Sequence, residues 1–168
     1  LILKLFYLSS KKIIVSIKMS EYKVDGYKFY IHIQQIYNIF GDSASNEVSN
    51  FKNMDAFALI RGKYKEDDPE CTQTKTSIFH EYLLGYDFSG SLIIFTSHSI
   101  YFLVSSKKKL ILESIEKPKG INCPDVNIVL SSPNDDNTLK IKSIFEKIIN
   151  DENKSKINVG YIKEEKGI

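Results

Sequence analysis

The sequence has no tryptophan, two cysteines and four prolines in 168 residues, and Arg61 is the only arginine among its 23 Lys+Arg. Each scarcity excludes something. Cys71 and Cys123 form no CxxC pair, which rules out a zinc ribbon and a disulfide-dense secreted module. Bidentate readout of guanine or phosphate depends on arginine, so base-specific DNA recognition is poorly supplied. A formal charge of +2 also argues against the strongly basic face of a dedicated nucleic-acid binder. Three histidines, His32, His80 and His98, are scattered without HxxxH or HExxH spacing, so no metal site is expected. No serine sits in a GxSxG elbow, and Gly85, Gly90 and Gly120 lack the Lys-Ser/Thr of a phosphate loop. No apolar run approaches the ~20 residues of a membrane span.

What is present is core material. Hydrophobic residues make up 42% of the chain, with ten Phe and ten Tyr, and 26% is charged. That composition buries a core without disulfides, and the length fits one domain. Leu1–Leu8 and Ile13–Ile17 are apolar but lack turn or cap signals and a signal-peptide cleavage site. Met19-Ser20-Glu21 resembles a natural start, so residues 1–18 are expected to be an extension outside the fold and 19–168 the domain.

Patterning along the chain alternates between helix and strand. Asp25 is placed to cap a helix over Tyr27–Phe40, with Phe29, Ile33, Ile36 and Phe40 on one face and Gly41 at its end. Asp55–Arg61 reads as a buried strand. Thr74–Leu84 reads as a helix stopped by Gly85. Ser91–Thr96 and Ile100–Ser105 read as strands joined by Ser97-His98. Lys107–Glu116 reads as a helix, and Val126–Leu130 as a buried strand. Asn134 is placed to cap a fourth helix carrying Ile141, Ile144, Phe145 and Ile148, with Asp135 and Asp136 in its first turn. Ile157–Ile162 reads as a final strand. The order predicts an α/β fold, a mixed sheet with helices packed on its faces.

Chemistry is sparse. The adjacent pairs Asp67-Asp68 and Asp135-Asp136 suit solvation and a helix dipole better than acid–base work. Two stretches stand out. In Ser105-Ser106-Lys107-Lys108-Lys109 three lysines occupy the first turn of a helix, where the dipole disfavours cations. Such a run is either a solvated face carrying a small penalty or a turn that meets an anion. In Tyr82-Leu83-Leu84-Gly85-Tyr86-Asp87-Phe88 a helix ends on glycine and the chain enters a strand; core packing and a left-handed cap account for Leu83, Leu84 and Gly85.

The second stretch carries a resemblance. His80-Glu81-Tyr82-Leu83-Leu84-Gly85-Tyr86-Asp87-Phe88, then Leu92-Ile93-Ile94-Phe95, Ile100-Tyr101-Phe102 and Ser105-Ser106-Lys107-Lys108-Lys109, resembles the N-terminal domain of the large subunit of the FACT histone chaperone. That family's pattern is a helix ending Trp-Leu-Leu/Phe-Gly-Tyr-Glu, two strands, and Ser-x-Lys-Lys. Here Tyr82 replaces the usual Trp, Asp87 the usual Glu, and Ser89-Gly90-Ser91 the usual turn. The likeness is best over Asp55–Ile115. Creatinase and aminopeptidase P amino-terminal lobes share the helix-Leu-x-Gly-Phe element but follow the hairpin with an Asp-Gly-Arg-Tyr-like run, absent here.

The resemblance implies the amino-terminal lobe of an aminopeptidase-like (pita-bread) protein, without its larger lobe and without catalysis, metal or cofactor. It implies a nuclear, chromosomal role in nucleosome disassembly and reassembly during transcription, replication and repair. The implied partners are core histones, the HMG-box small subunit of FACT through regions outside this chain, and nucleosomal DNA indirectly, with no membrane and no small-molecule substrate. By charge, Glu81, Tyr86 and Asp87 suit histone bodies, and Lys107, Lys108 and Lys109 suit an acidic partner or DNA phosphate. The rival readings are the small lobe of an aminopeptidase P-like metallopeptidase and a free-standing nucleic-acid-binding domain.

Overall fold

The computed structural model describes residues 23–41, 53–62, 74–117, 122–132 and 137–162. Four helices and five strands alternate through them. Helix α1 spans Gly26–Gly41, strand β1 Ala56–Arg61, helix α2 Lys75–Leu84, and strands β2 and β3 Ser91–Thr96 and Ser99–Val104. Helix α3 spans Ser106–Glu113, strand β4 Asp125–Leu130, helix α4 Thr138–Asp151 and strand β5 Val159–Tyr161. The strands form one mixed sheet ordered β4-β3-β2-β1-β5. Neighbours β1–β2 and β2–β3 run antiparallel, β3–β4 and β1–β5 parallel.

The helix starts follow their side chains. Asp25 Oδ1 accepts from the Lys28 amide at 3.1 Å and caps α1. Thr74 caps α2, its hydroxyl accepting from the Ser77 amide at 3.1 Å. The tight turn between β2 and β3 is held by Thr96, whose Oγ1 accepts from the Ser99 amide and donates to its carbonyl, each at 3.0 Å.

Strand alternation sorts the core into two layers. Leu59, Ile93, Phe95, Ile100, Phe102 and Val104 face one way, packing with Phe29, Ile33, Ile36, Leu83, Leu84 and Phe88. Ala56, Ala58, Leu92, Ile94, Tyr101 and Leu103 face the other, packing with Ile144 and Ile148 of α4. The two alanines lower the sheet surface beneath that helix. At ~25 cal/mol per Å² of buried apolar area, the aromatic layer is the larger contributor to stability.

Most element ends lie within one residue of the sequence pattern, and three elements depart by more. Helix α3 stops at Glu113 because the amides of Ser114 and Ile115 bond back to Ile111 and Leu112, a tightened last turn, so Ile115 and Glu116 are not helical. The fourth helix begins at Thr138 after Asn137, whose side chain makes no capping bond; Asn134, Asp135 and Asp136 lie outside the described residues. Strand β5 is only Val159–Tyr161, since its pairing with β1 covers Ala56 to Ala58 alone. The expectations for residues 1–18, Cys71 and Asp67-Asp68 also fall outside the described residues.

Candidate partner-binding site

The stretch from His80 to Lys109 runs from the end of α2 through the interior strands β2 and β3 into the first turn of α3. Helix α2 ends at Gly85, which adopts φ 75°, ψ 1° while its amide bonds to the Glu81 carbonyl at 2.8 Å. This left-handed cap turns the chain so that Asp87 meets β1. The last residue of β1 is Arg61. Its Nη2 donates to Asp87 Oδ2 at 2.8 Å, and its Nε lies 3.1 and 3.2 Å from the two carboxylate oxygens. Both side chains are almost fully covered, at 8% and 10% exposure.

His80 completes this cluster. It is wholly buried, with Nδ1 3.6 Å from Asp87 Oδ1, longer than a hydrogen bond. Neither ring nitrogen has a hydrogen-bond partner among the described residues. Burial pushes the imidazole pKa down to about 4; Asp87 opposes that shift and Arg61 adds to it. The ring is therefore neutral at pH 7.

Asp87, proposed from its charge as a partner contact, is thus turned inward, where both its oxygens are engaged by Arg61. Glu81 is exposed one turn before the cap, while Tyr86 is half-buried, its hydroxyl 3.4 Å from the Lys23 carbonyl. The lysine run also divides. Lys107 is exposed. Lys108 lies over the Phe88 ring, its Nζ 5.7 Å from the centroid, and donates to the Ser89 carbonyl. Lys109 pairs with Glu113 one turn on, at 3.4 Å. Two of the three lysines are therefore accommodated by the chain itself, and only Glu81 and Lys107 of the six candidates are fully at the surface.

Arg61 is the functional-region residue that composition treated only as an absence. A single arginine ending an apolar strand, in a chain that otherwise uses lysine, marks a position where a planar bidentate fork is required. Its partner lies 26 residues away, beyond any local pattern. Tyr82, in the family's tryptophan position, stacks on His32 at 4.0 Å between ring centroids and hydrogen-bonds Gln35, tying α2 to α1. Among the described residues, no group of three or more His, Cys, Asp or Glu is placed to hold a metal. No helix among them is long and apolar enough to cross a membrane.

Comparison with known proteins accords with this architecture. Residues 24–167 match the family described as the FACT complex subunit SPT16 N-terminal lobe domain. The SPT16 subunit of Dictyostelium discoideum is 26% identical over 121 residues, covering 72% of this chain and 11% of that protein. That of Arabidopsis thaliana is 35% identical over 75 residues, 44% of this chain and 7% of the relative. The solved N-terminal domain of SPT16 from chickpea, Cicer arietinum, superposes with a TM-score of 0.67 at 25% identity, covering 83% of this chain and 30% of that one. The corresponding domain from Eremothecium gossypii shares the fold, with a TM-score of 0.63. The chain spans about a tenth of the length of the curated relatives it matches. By the match over 24–167, it belongs to the family of FACT complex subunit SPT16 N-terminal lobe domains.

Proposed function

We propose that this chain is a non-catalytic histone-chaperone lobe, contributing a surface for core histones or partner factors while nucleosomes are taken apart and rebuilt. The process belongs to transcription, replication and repair, in the nucleus and on chromosomes. Membership of the FACT family carries the reading. In this reading the HMG-box small subunit of FACT and nucleosomal DNA are reached through regions outside this chain. No cofactor, membrane or small-molecule substrate is invoked.

The contacts fall on what is exposed. Histones are basic, so Glu81 serves as an attractive carboxylate at the rim of the motif, and the half-buried Tyr86 follows the cap. Lys107 faces an acidic partner. Asp87, Lys108 and Lys109 support that surface from behind, holding the turn and the start of α3. The aminopeptidase P-like alternative draws on the shared helix-glycine-hairpin element alone.

Titration of the purified chain with core histones at physiological salt tests the proposal. Saturable binding, weakened as salt is raised, is the expected result. Metal-dependent cleavage of an X-Pro peptide by the contaminant-free chain contradicts it and favours the peptidase.

A further inference from the structure

Strand β4 closes one side of the sheet, and the alternation of its backbone shows which groups it leaves over. The Asp125 amide bonds to the His98 carbonyl and the Ser131 amide to the Val104 carbonyl, so odd-numbered residues here turn their amides toward β3. Val126, Ile128 and Leu130 therefore direct N–H and C=O groups outward, along an edge that no described strand pairs. Beside this edge runs a groove of about 400 Å³ between β4 and α4. Tyr101, Asn127, Val129 and Ile144 line its floor; Leu139 and Lys147 rise from the helix. Leu139 is 72% exposed and Leu130 42%.

The charge of the groove selects its occupant. Lys147 holds its Nζ 5.5 Å above the Tyr101 ring centroid, and Lys140 stands at the mouth, 3.4 Å from Ser132 Oγ. Among the described residues no acidic side chain lines the groove; Asp151 meets the Tyr101 hydroxyl at its floor, at 3.4 Å. We propose that the β4 edge and the adjoining groove bind an extended acidic peptide, which adds a strand beside β4 and sets an acidic side chain against Lys147. Alternate residues of such a strand face opposite ways. Those turned to the groove meet Lys147 and Leu139. Those turned away run beside the partly buried Val126 and Ile128 and are apolar. The ligand is thus a chain alternating acidic with β-branched residues, held by main-chain bonds and sorted by its side chains. This site lies outside the histone reading and does not depend on it.

The test uses the full 168-residue chain and two synthetic ten-residue peptides, one alternating Glu with Val and one alternating Lys with Val, with duplex DNA as a third probe. The Glu–Val peptide is expected to bind, to slow amide exchange at Val126, Ile128 and Leu130, and to weaken about tenfold in Lys147→Glu. Lys147 is exposed, so unchanged thermal melting of that variant separates lost binding from lost folding. Absence of Glu–Val binding, equal binding of Lys–Val, tighter binding of DNA, or indifference to Lys147→Glu overturns the proposal. So does protection of those three amides in the chain alone, which means that another segment already occupies the edge.

Discussion

The two faces of the sheet are built differently. One is sealed by α1, α2 and α3 and filled with aromatic rings, among them Phe29, Phe95 and Phe102, and it contains the buried Arg61–Asp87–His80 cluster. Among the described residues the other is covered by one helix, α4, is mostly aliphatic, and leaves an open groove beside β4. The motif that identifies the family, His80 to Phe88, belongs largely to the sealed side. Much of that motif therefore encodes packing, and surfaces able to meet partners are found at its rim or on the open face.

Deleting a ring from the sealed face separates the two faces most sharply. Phe102→Ala is expected to lower unfolding free energy by about 3–5 kcal/mol in urea titrations, because its site is fully enclosed. Leu139→Ala on the open face should stay within roughly 0.5 kcal/mol of the parent. Similar losses at both positions would erase the contrast.

Removing the guanidinium breaks the buried cluster. Arg61→Leu takes the bidentate guanidinium away from the covered Asp87 carboxylate and should cost about 3 kcal/mol. Arg61→Lys keeps the charge but loses the fork, and is expected to recover only part of that stability.

His80 makes the sealed face sensitive to acid. Its pKa falls from an ordinary 6.5 in the unfolded chain to about 4 in the folded one. Above pH 6.5 the ring is neutral in both states and adds no pH dependence. Between pH 6.5 and about 4 only the unfolded state takes up the proton, so stability declines through that window, on the order of 3 kcal/mol in all. Denaturant midpoints measured across the window should show this slope, and His80→Phe should flatten it.

Gly85 is a smaller and cleaner case. With φ at 75° and open space among the described residues where a β-carbon would stand, Gly85→Ala carries the left-handed backbone penalty. A thermal melt should report a loss of about 1 kcal/mol; no loss would mean the turn relaxes to another conformation.

The order of elements was legible in the sequence because strand alternation, the helix faces of α1 and α4 and the Asp25 and Gly85 signals all agreed; the burial of β4 was not, since Val126–Leu130 read as a buried strand and is only partly covered at the edge of the sheet. Boundaries were less so where partners decide them: β5 is as long as its pairing with β1, and α3 ends where Ser114 and Ile115 bond backward. Glycine at the cap could be read locally. The pairing of Arg61 with Asp87 could not, since it closes only when β1 and the exit of α2 meet in space. The lysine run shows the same limit. Charge at a helix start left a solvated face and an anion-facing turn both open, and neither reading could show that Phe88, Ser89 and Glu113 engage two of the three amines. Accordingly Lys108→Ala should cost about 0.5 kcal/mol through lost packing on Phe88, and Lys107→Ala about nothing.

The most direct measurement is the dissociation constant for core histones of the parent chain against Glu81→Lys, taken at one ionic strength. Glu81 is exposed and its substitution leaves the sealed core intact, so the two proteins should melt alike. The account predicts that the parent binds and that charge reversal weakens binding at least about threefold, ~0.7 kcal/mol. An absence of histone binding, or equal affinity of the two proteins, would contradict it.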